Sequence, residues 1–418
     1  MKYPVGKLAA VLAALCLVIV GVPLAGCLSL IVSNAATSQS NAVSIKQESA
    51  GAEEISGAES QVSVNGTSAV TITSNTTVNG NAYSSAAADE NALRISGTNA
   101  VLNNIIVNKL SGDATGLSGS SFCGDNAGLL VLNGSTVTIT GGTVRTGASG
   151  ADGVFSTGTG TAVNISGSSV STTEGFAAGL AAEEEGAISG SGGSITTDGY
   201  DAPAVSSASA VNLNGTVLTA NHSEAVLVKN GGSASLTDCT VTGFRAENEE
   251  SNNAGGIVIS SSADENADGE TASFSAKGGS VTAGQGDLFR VEGASCSIEL
   301  AGVSLQHADG NLLTVTGSTE EDSSEQQGAK VQFAASEQEL KGTVSCDSVS
   351  SLDMELGSGS FFAGTVNGNG QSGTVKVTVE NGAVWNLTGE SWVTALTNNG
   401  TVNLNGFRIH LADGSVIS

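Results

Sequence analysis

The sequence predicts an all-β chain wound as a right-handed parallel β-helix of about a dozen coils. Three observations carry that expectation. Short runs with period-two hydrophobic alternation recur along most of the chain. Each run ends at Gly, Asn or Asp, residues that make sharp corners. The next run arrives roughly 22 to 26 residues later, a period that signals a solenoid.

Composition agrees. Gly makes up 57 of 418 residues and Pro only 3, while aromatics are 4% and charged residues 13%. Hydrophobic residues still reach 39%, which argues against disorder. Such a chain must build its core from Val, Ile, Leu and Ala. Abundant Ser, Thr, Asn and Gly favour strands and turns over surface helices.

The first element is an export signal over residues 1–26. Lys2 and Lys7 flank the start of an uncharged apolar run, Leu8 to Val22. The run ends in Leu24-Ala25-Gly26-Cys27, which resembles the lipobox of bacterial lipoproteins. That resemblance implies lipidation of the Cys27 thiol and a mature chain beginning there. Two other readings stay open. Leu8 to Val32 is long enough to span a bilayer as an uncleaved anchor. Ser33-Asn34-Ala35 suits an ordinary signal peptidase. All three export the protein, and the lipobox reading places it in the cell envelope, lipid-anchored to the membrane and surface-exposed.

Residues 27–60 lack a sustained period and read as a tether. The β-helix is expected over 61–418. Its template is apolar-x-apolar-x-turn-x-x-apolar. Val137-Thr138-Ile139-Thr140-Gly141-Gly142-Thr143-Val144 and Val211-Asn212-Leu213-Asn214-Gly215-Thr216-Val217-Leu218 both follow it. A third apolar group precedes it, as in Leu129-Leu130-Val131 and Val226-Leu227-Val228. Three strands and three corners fill one coil. Val137, Ile139, Val163, Ile165, Val211, Leu213, Leu236, Ile298 and Leu300 are the expected core. A left-handed β-helix would need a stricter hexad than this spacing shows. Insertions fall at corners, and several are acidic: Glu183-Glu184-Glu185, Glu247-Asn248-Glu249-Glu250 and Glu320-Glu321-Asp322. These read as solvated loops.

The rod resembles the pectin-lyase-like β-helices. Segments such as Asp89-Glu90-Asn91-Ala92-Leu93-Arg94-Ile95 and Leu396-Thr397-Asn398-Asn399-Gly400-Thr401-Val402 resemble adhesin-like β-helix proteins of bacterial surfaces. The first resemblance implies the possibility of a polysaccharide lyase or glycoside hydrolase. The second implies a non-enzymatic surface rod that contacts host, matrix or neighbouring cells.

Charge excludes nucleic acid as a partner. The net charge is −26, and removal of Lys2 and Lys7 would take it to −28. Phosphate backbones and anionic lipid surfaces repel such a chain.

Candidate chemistry is sparse. No catalytic residue is assigned. Outward strand positions read mostly as Ser, Thr and Asn, with Asp238 and Asp353 as isolated acids. His222, His307 and His410 are scattered and read as surface residues. Arg408-Ile409-His410 resembles a polygalacturonase triplet, but the sequence offers it no acid partner. Asp264, Asn266 and Asp268 match the first half of a calcium loop, so a structural calcium is the only cofactor considered. Ser275 stands where a bidentate Glu would complete that loop. Cys123, Cys239, Cys296 and Cys346 form no CxxC pair and read as small buried hydrophobes, with a disulfide left open. Trp385 shares parity with Ala383 and Leu387 and is expected to face inward. With few outward aromatics, glycan stacking finds little support in the pattern.

Overall fold

The computed structural model describes residues 65–115, 124–229, 231–244, 255–261, 271–318, 327–368, 370 and 373–418. The chain is a right-handed parallel β-helix without helices among these residues. Three long sheets of 13, 14 and 9 strands form its walls. Each strand hydrogen-bonds to its counterparts in the preceding and following coils, so sequence-distant residues stack in columns.

The 13-stranded sheet shows why alternation produces the fold. Ala100, Val137, Val163, Ile188, Val211, Ala234, Phe274, Ile298, Phe333, Met354 and Val377 occupy one register column. All are buried. Every core position expected from the sequence is buried, Ile165 being the most exposed at 6%. Each aliphatic chain stacks on its counterpart about 4.8 Å away, so one coil closes the apolar surface of the next.

Corners follow from backbone sterics. Asn104, Gly141, Gly167, Gly192, Gly215, Asp238 and Gly278 succeed one another at one corner, all with positive φ. Asn and Asp tolerate that region because their side chains bond locally. The residue after Gly141 shows the stricter need: Gly142 sits against the Ile105 backbone, where a Cβ would collide. Asp238 is therefore a corner residue.

Aromatic rings join the core toward the C-terminal end. Phe289 packs against Phe274 and Phe333, with centroids 6.0 and 6.4 Å away. Trp385 is fully buried, stacks on Phe362 at 5.9 Å and donates its indole N–H to the Gly364 carbonyl at 3.1 Å. The inward reading of Trp385 is correct. The 9-stranded sheet ends with Ser304–His307. Beyond it the coils use longer strands, such as Glu339–Cys346 and Phe361–Val366.

The far end closes with a three-stranded sheet in which Ile409–Leu411 pairs antiparallel with Val416–Ile417. A strand that turns back interrupts the parallel template for edge pairing. Here the sequence reading of Arg408-Ile409-His410 needs correcting. His410 does have an acid partner, Glu390 Oε2, 2.8 Å from its Nε2. Its ring also stacks on Trp392 at 4.6 Å. Register brings them together, since Trp392 pairs with His410 in the sheet.

Candidate functional site: the outer face of the fourteen-stranded sheet

Strands of this sheet carry apolar residues on both faces. Leu129, Val131, Val226, Val228, Ile257 and Ile259 point inward to the main core. Between them, Leu130, Phe155, Ala181, Leu227 and Val258 face outward, yet all are buried. They form a second apolar cluster with Ala127 and Ala178. This explains the unbroken apolar triplets in the sequence. A strand covered on both faces has no reason to alternate.

Around that outer cluster the coils assemble ionisable groups. Register places Glu183 beside Thr157, and Lys229 two coils beyond Glu183 in the same outward row. Lys229 Nζ reaches Glu183 Oε1 at 3.1 Å, with both side chains largely buried. Asp152 precedes the neighbouring strand and accepts the Ala178 N–H at 2.8 Å while almost wholly buried. Glu224 is buried too and accepts the Ser223 hydroxyl at 2.9 Å. Ser206 stands between Ala181 and Leu227 in the central row, also buried.

Burial governs the electrostatics. It pushes the Asp152 carboxyl well above the usual range, against the pull of the Ala178 amide. Burial likewise raises Glu183, and the charge and hydrogen bond of Lys229 only partly offset it. Glu224 is pushed up to about 7 by burial, with its hydrogen bonds opposing the rise and the charges of Asp201 and Glu292 adding to it. At the near end Asp125 rises to about 6, first by burial and then by Asp89, with Arg94 opposing. The Arg94 guanidinium donates to the carbonyls of Asn65, Gly66 and Thr67.

This corrects one expectation. The sequence pattern gave outward faces of Ser, Thr and Asn, with no acids gathered beside a base. The central outward row of the 13-stranded sheet does read Thr138, Asn164, Ser189, Asn212, Ser235 and Ser275 in register. The 14-stranded sheet instead collects Asp152, Glu183 and Lys229. Their columns cross coils, which no local window displays: Glu183 and Lys229 lie 46 residues apart. Glu183 to Glu185 are not merely a solvated loop either. Glu184 and Glu185 take left-handed backbone angles and accept hydroxyls of Thr157 and Thr159 from the preceding coil, at 3.0 and 2.7 Å.

Of these acids Glu224, pushed up to about 7, can hold or release a proton near physiological pH. It is also shut away from solvent. An open groove of about 470 Å³ lies elsewhere, on the 13-stranded sheet beside Asn75, Thr77, Asn99, Val101 and Thr138, and no titratable group lines it.

The remaining sequence candidates are dispersed. Cys27, Cys123, Asp264, Asn266 and Asp268 lie outside the described residues. Among the described residues, no three His, Cys, Asp or Glu side chains come close enough to hold a metal. Cys239, Cys296 and Cys346 are buried free thiols, the last two pushed up to about 12 chiefly by burial. His222 is exposed, with Nδ1 2.7 Å from the Asp198 carbonyl. His307 Nε2 lies 3.1 Å from the Lys341 carbonyl. Asp353 stands beside Lys376 in register on the 13-stranded sheet. No known family model matches the chain, and no curated protein matches its sequence.

Proposed function

We propose that this chain is a non-enzymatic surface rod, exported and held to the cell envelope by a lipid on Cys27, that contacts host, matrix or neighbouring cells. The observation that supports it best is the polar ladder of the 13-stranded sheet. From Thr138 to Ser275 six successive coils present only hydroxyls and amides in the central outward row. Such a face offers hydrogen bonds to a ligand and no proton traffic near neutral pH. Proton transfer needs a positioned acid or base that can reach its substrate. The acids that do assemble, on the 14-stranded sheet, are buried against apolar side chains. Binding of the purified chain to glycan and matrix-protein arrays tests the reading. Binding to some surface component supports it, and silence on every array argues against it.

One observation favours a second reading, cleavage of a polysaccharide. Glu224 near 7 and the raised acids beside Lys229 resemble the perturbed groups of active sites. Incubation with pectin, alginate and host glycans, with and without calcium, separates the two. A contact rod releases neither unsaturated uronides nor reducing ends. Turnover abolished by Glu224→Gln or Asp152→Asn would put the enzyme first.

A further inference from the structure

One wall of the helix is free of charge over half its length. The first seven strands of the 13-stranded sheet, from Thr76–Asn79 to Ser233–Thr237, contain no charged residue. Their outward positions stack in three register rows. The central row runs from Thr77 through Asn164 to Ser235, flanked by one from Asn99 to Ser233 and one from Asn79 to Thr237. Every residue in them is Asn, Ser, Thr or Ala, apart from Val101, and none is buried. Charge returns in the next coil with Lys277, and Glu299, Asp353, Glu355 and Lys376 follow in the same rows. The other walls differ. The 9-stranded sheet points Arg145 and Asp198 outward, and the 14-stranded sheet carries Glu183, Lys229 and Arg290 on its outer face.

Three properties of the uncharged face point to one partner, a second copy of the chain. It is complementary to itself, because a hydroxyl or a carboxamide both donates and accepts, so a row of them finds partners in an identical row. The side chains of Asn164, Ser189 and Asn212 are exposed and make no hydrogen bond among the described residues, so their capacity is open. Its rows repeat at the strand spacing of about 4.8 Å. A second copy repeats at the same spacing, so the two sets of rows stay in step from end to end. A partner with another repeat drifts out of step within a few coils. Charge selects the same arrangement. Two copies at −26 repel, and contact through this face turns their acidic walls away from one another.

The area sets the strength. Seven strands about 4.8 Å apart and five residues at about 3.3 Å give a patch of roughly 550 Å². Two copies bury about 1,100 Å², at the small end of specific interfaces and within the transient class. One pair therefore binds weakly, and many rods on one surface add their contacts.

We propose that this uncharged face pairs with the same face of a second copy, about a two-fold axis that passes over Asn164 in the middle strand, Ala162–Ser166. This rests on the contact-rod reading and names the partner as the same protein. Across that axis Asn164 meets its own counterpart, so a charge placed there meets a like charge.

The test is sedimentation equilibrium of the full chain over a range of concentrations. Wild type should self-associate weakly, and more strongly as salt screens the net charge. Asn164→Asp and Asn164→Lys should each weaken association at least about tenfold, the scale of one like-charge contact. A mixture of the two variants should associate at least as well as wild type. Both substitutions fall on an exposed position, and circular dichroism will show that the β-sheet signal persists. Ser171→Asp, beside Arg145 on the 9-stranded sheet, should leave association unchanged. Equal association by wild type and both Asn164 variants overturns the face. Loss in each variant without recovery in the mixture overturns the two-fold pairing. A chain that stays monomeric yet binds a component of the glycan or matrix arrays overturns the second copy and leaves the contact rod in place. Association that follows the charge pattern while every array stays silent supports the pairing and argues against host and matrix contact.

Discussion

Truncation of Leu300 tests the stacked core most directly. Leu300 is 2% exposed, and its register neighbours are Ala276 in the preceding coil and Ala335 in the following one. Both neighbours are small, so Leu300 fills space across three coils. Removing its branched end loses transfer free energy and leaves a void that two alanines cannot refill. Leu→Ala changes in cores cost 2–5 kcal/mol, and poor collapse places this one at about 4 kcal/mol. Leu300→Asn should exceed that, because it also buries an amide without a partner, at roughly 1–3 kcal/mol more. The matched control is Glu299→Ala, one residue away on the outward face, expected within about 0.5 kcal/mol of wild type. Hydrogen exchange is the suitable assay, since stability in a coil array is partly local. Amides of Ser295–Ala301 and Lys330–Ser336 should lose protection in Leu300→Ala and keep it in Glu299→Ala. Equal loss in the two variants, or none in either, would refute the inward stacking of this column.

The remaining expectations concern protons, rings and the anchor. Glu224 has its folded pKa raised to about 7 from 4.5, so the native state holds the proton more tightly than the unfolded chain. Its contribution is fully present below about 4.5 and is lost as pH rises toward 7, roughly 3 kcal/mol in all. Urea midpoints at pH 4.5 and 7.5 should therefore differ more for wild type than for Glu224→Gln; parallel profiles would remove Glu224 from the account. Trp385→Ala should cost roughly 3–5 kcal/mol by emptying the stack with Phe362, read as a lower unfolding midpoint in urea. Labelled fatty acid should enter the wild-type chain in cells and not Cys27→Ala; equal labelling of both would remove the lipid anchor.

Alternation and corner chemistry determined the architecture from the sequence alone. Val137 and Ile139 alternate with Thr138 because one face meets the core and the other does not. Gly141-Gly142 and Asp238 mark a corner because only residues at ease with positive φ can turn there. These are local constraints, complete within one coil, and the repeat multiplies them. The inward Trp385 was legible for the same reason. What only the tertiary structure decided is which residues share a column between coils. Coil lengths vary with insertions, so the partner of a given residue stands at no fixed distance along the chain. Lys229 found Glu183, and His410 found Glu390 and Trp392, in that way. The apolar outer layer of Leu130, Phe155 and Leu227 likewise needed the stacked coils before burial could raise the acids around it. A carboxyl group's surroundings are set by the neighbours that stacking supplies, and those neighbours are absent from any single run of sequence.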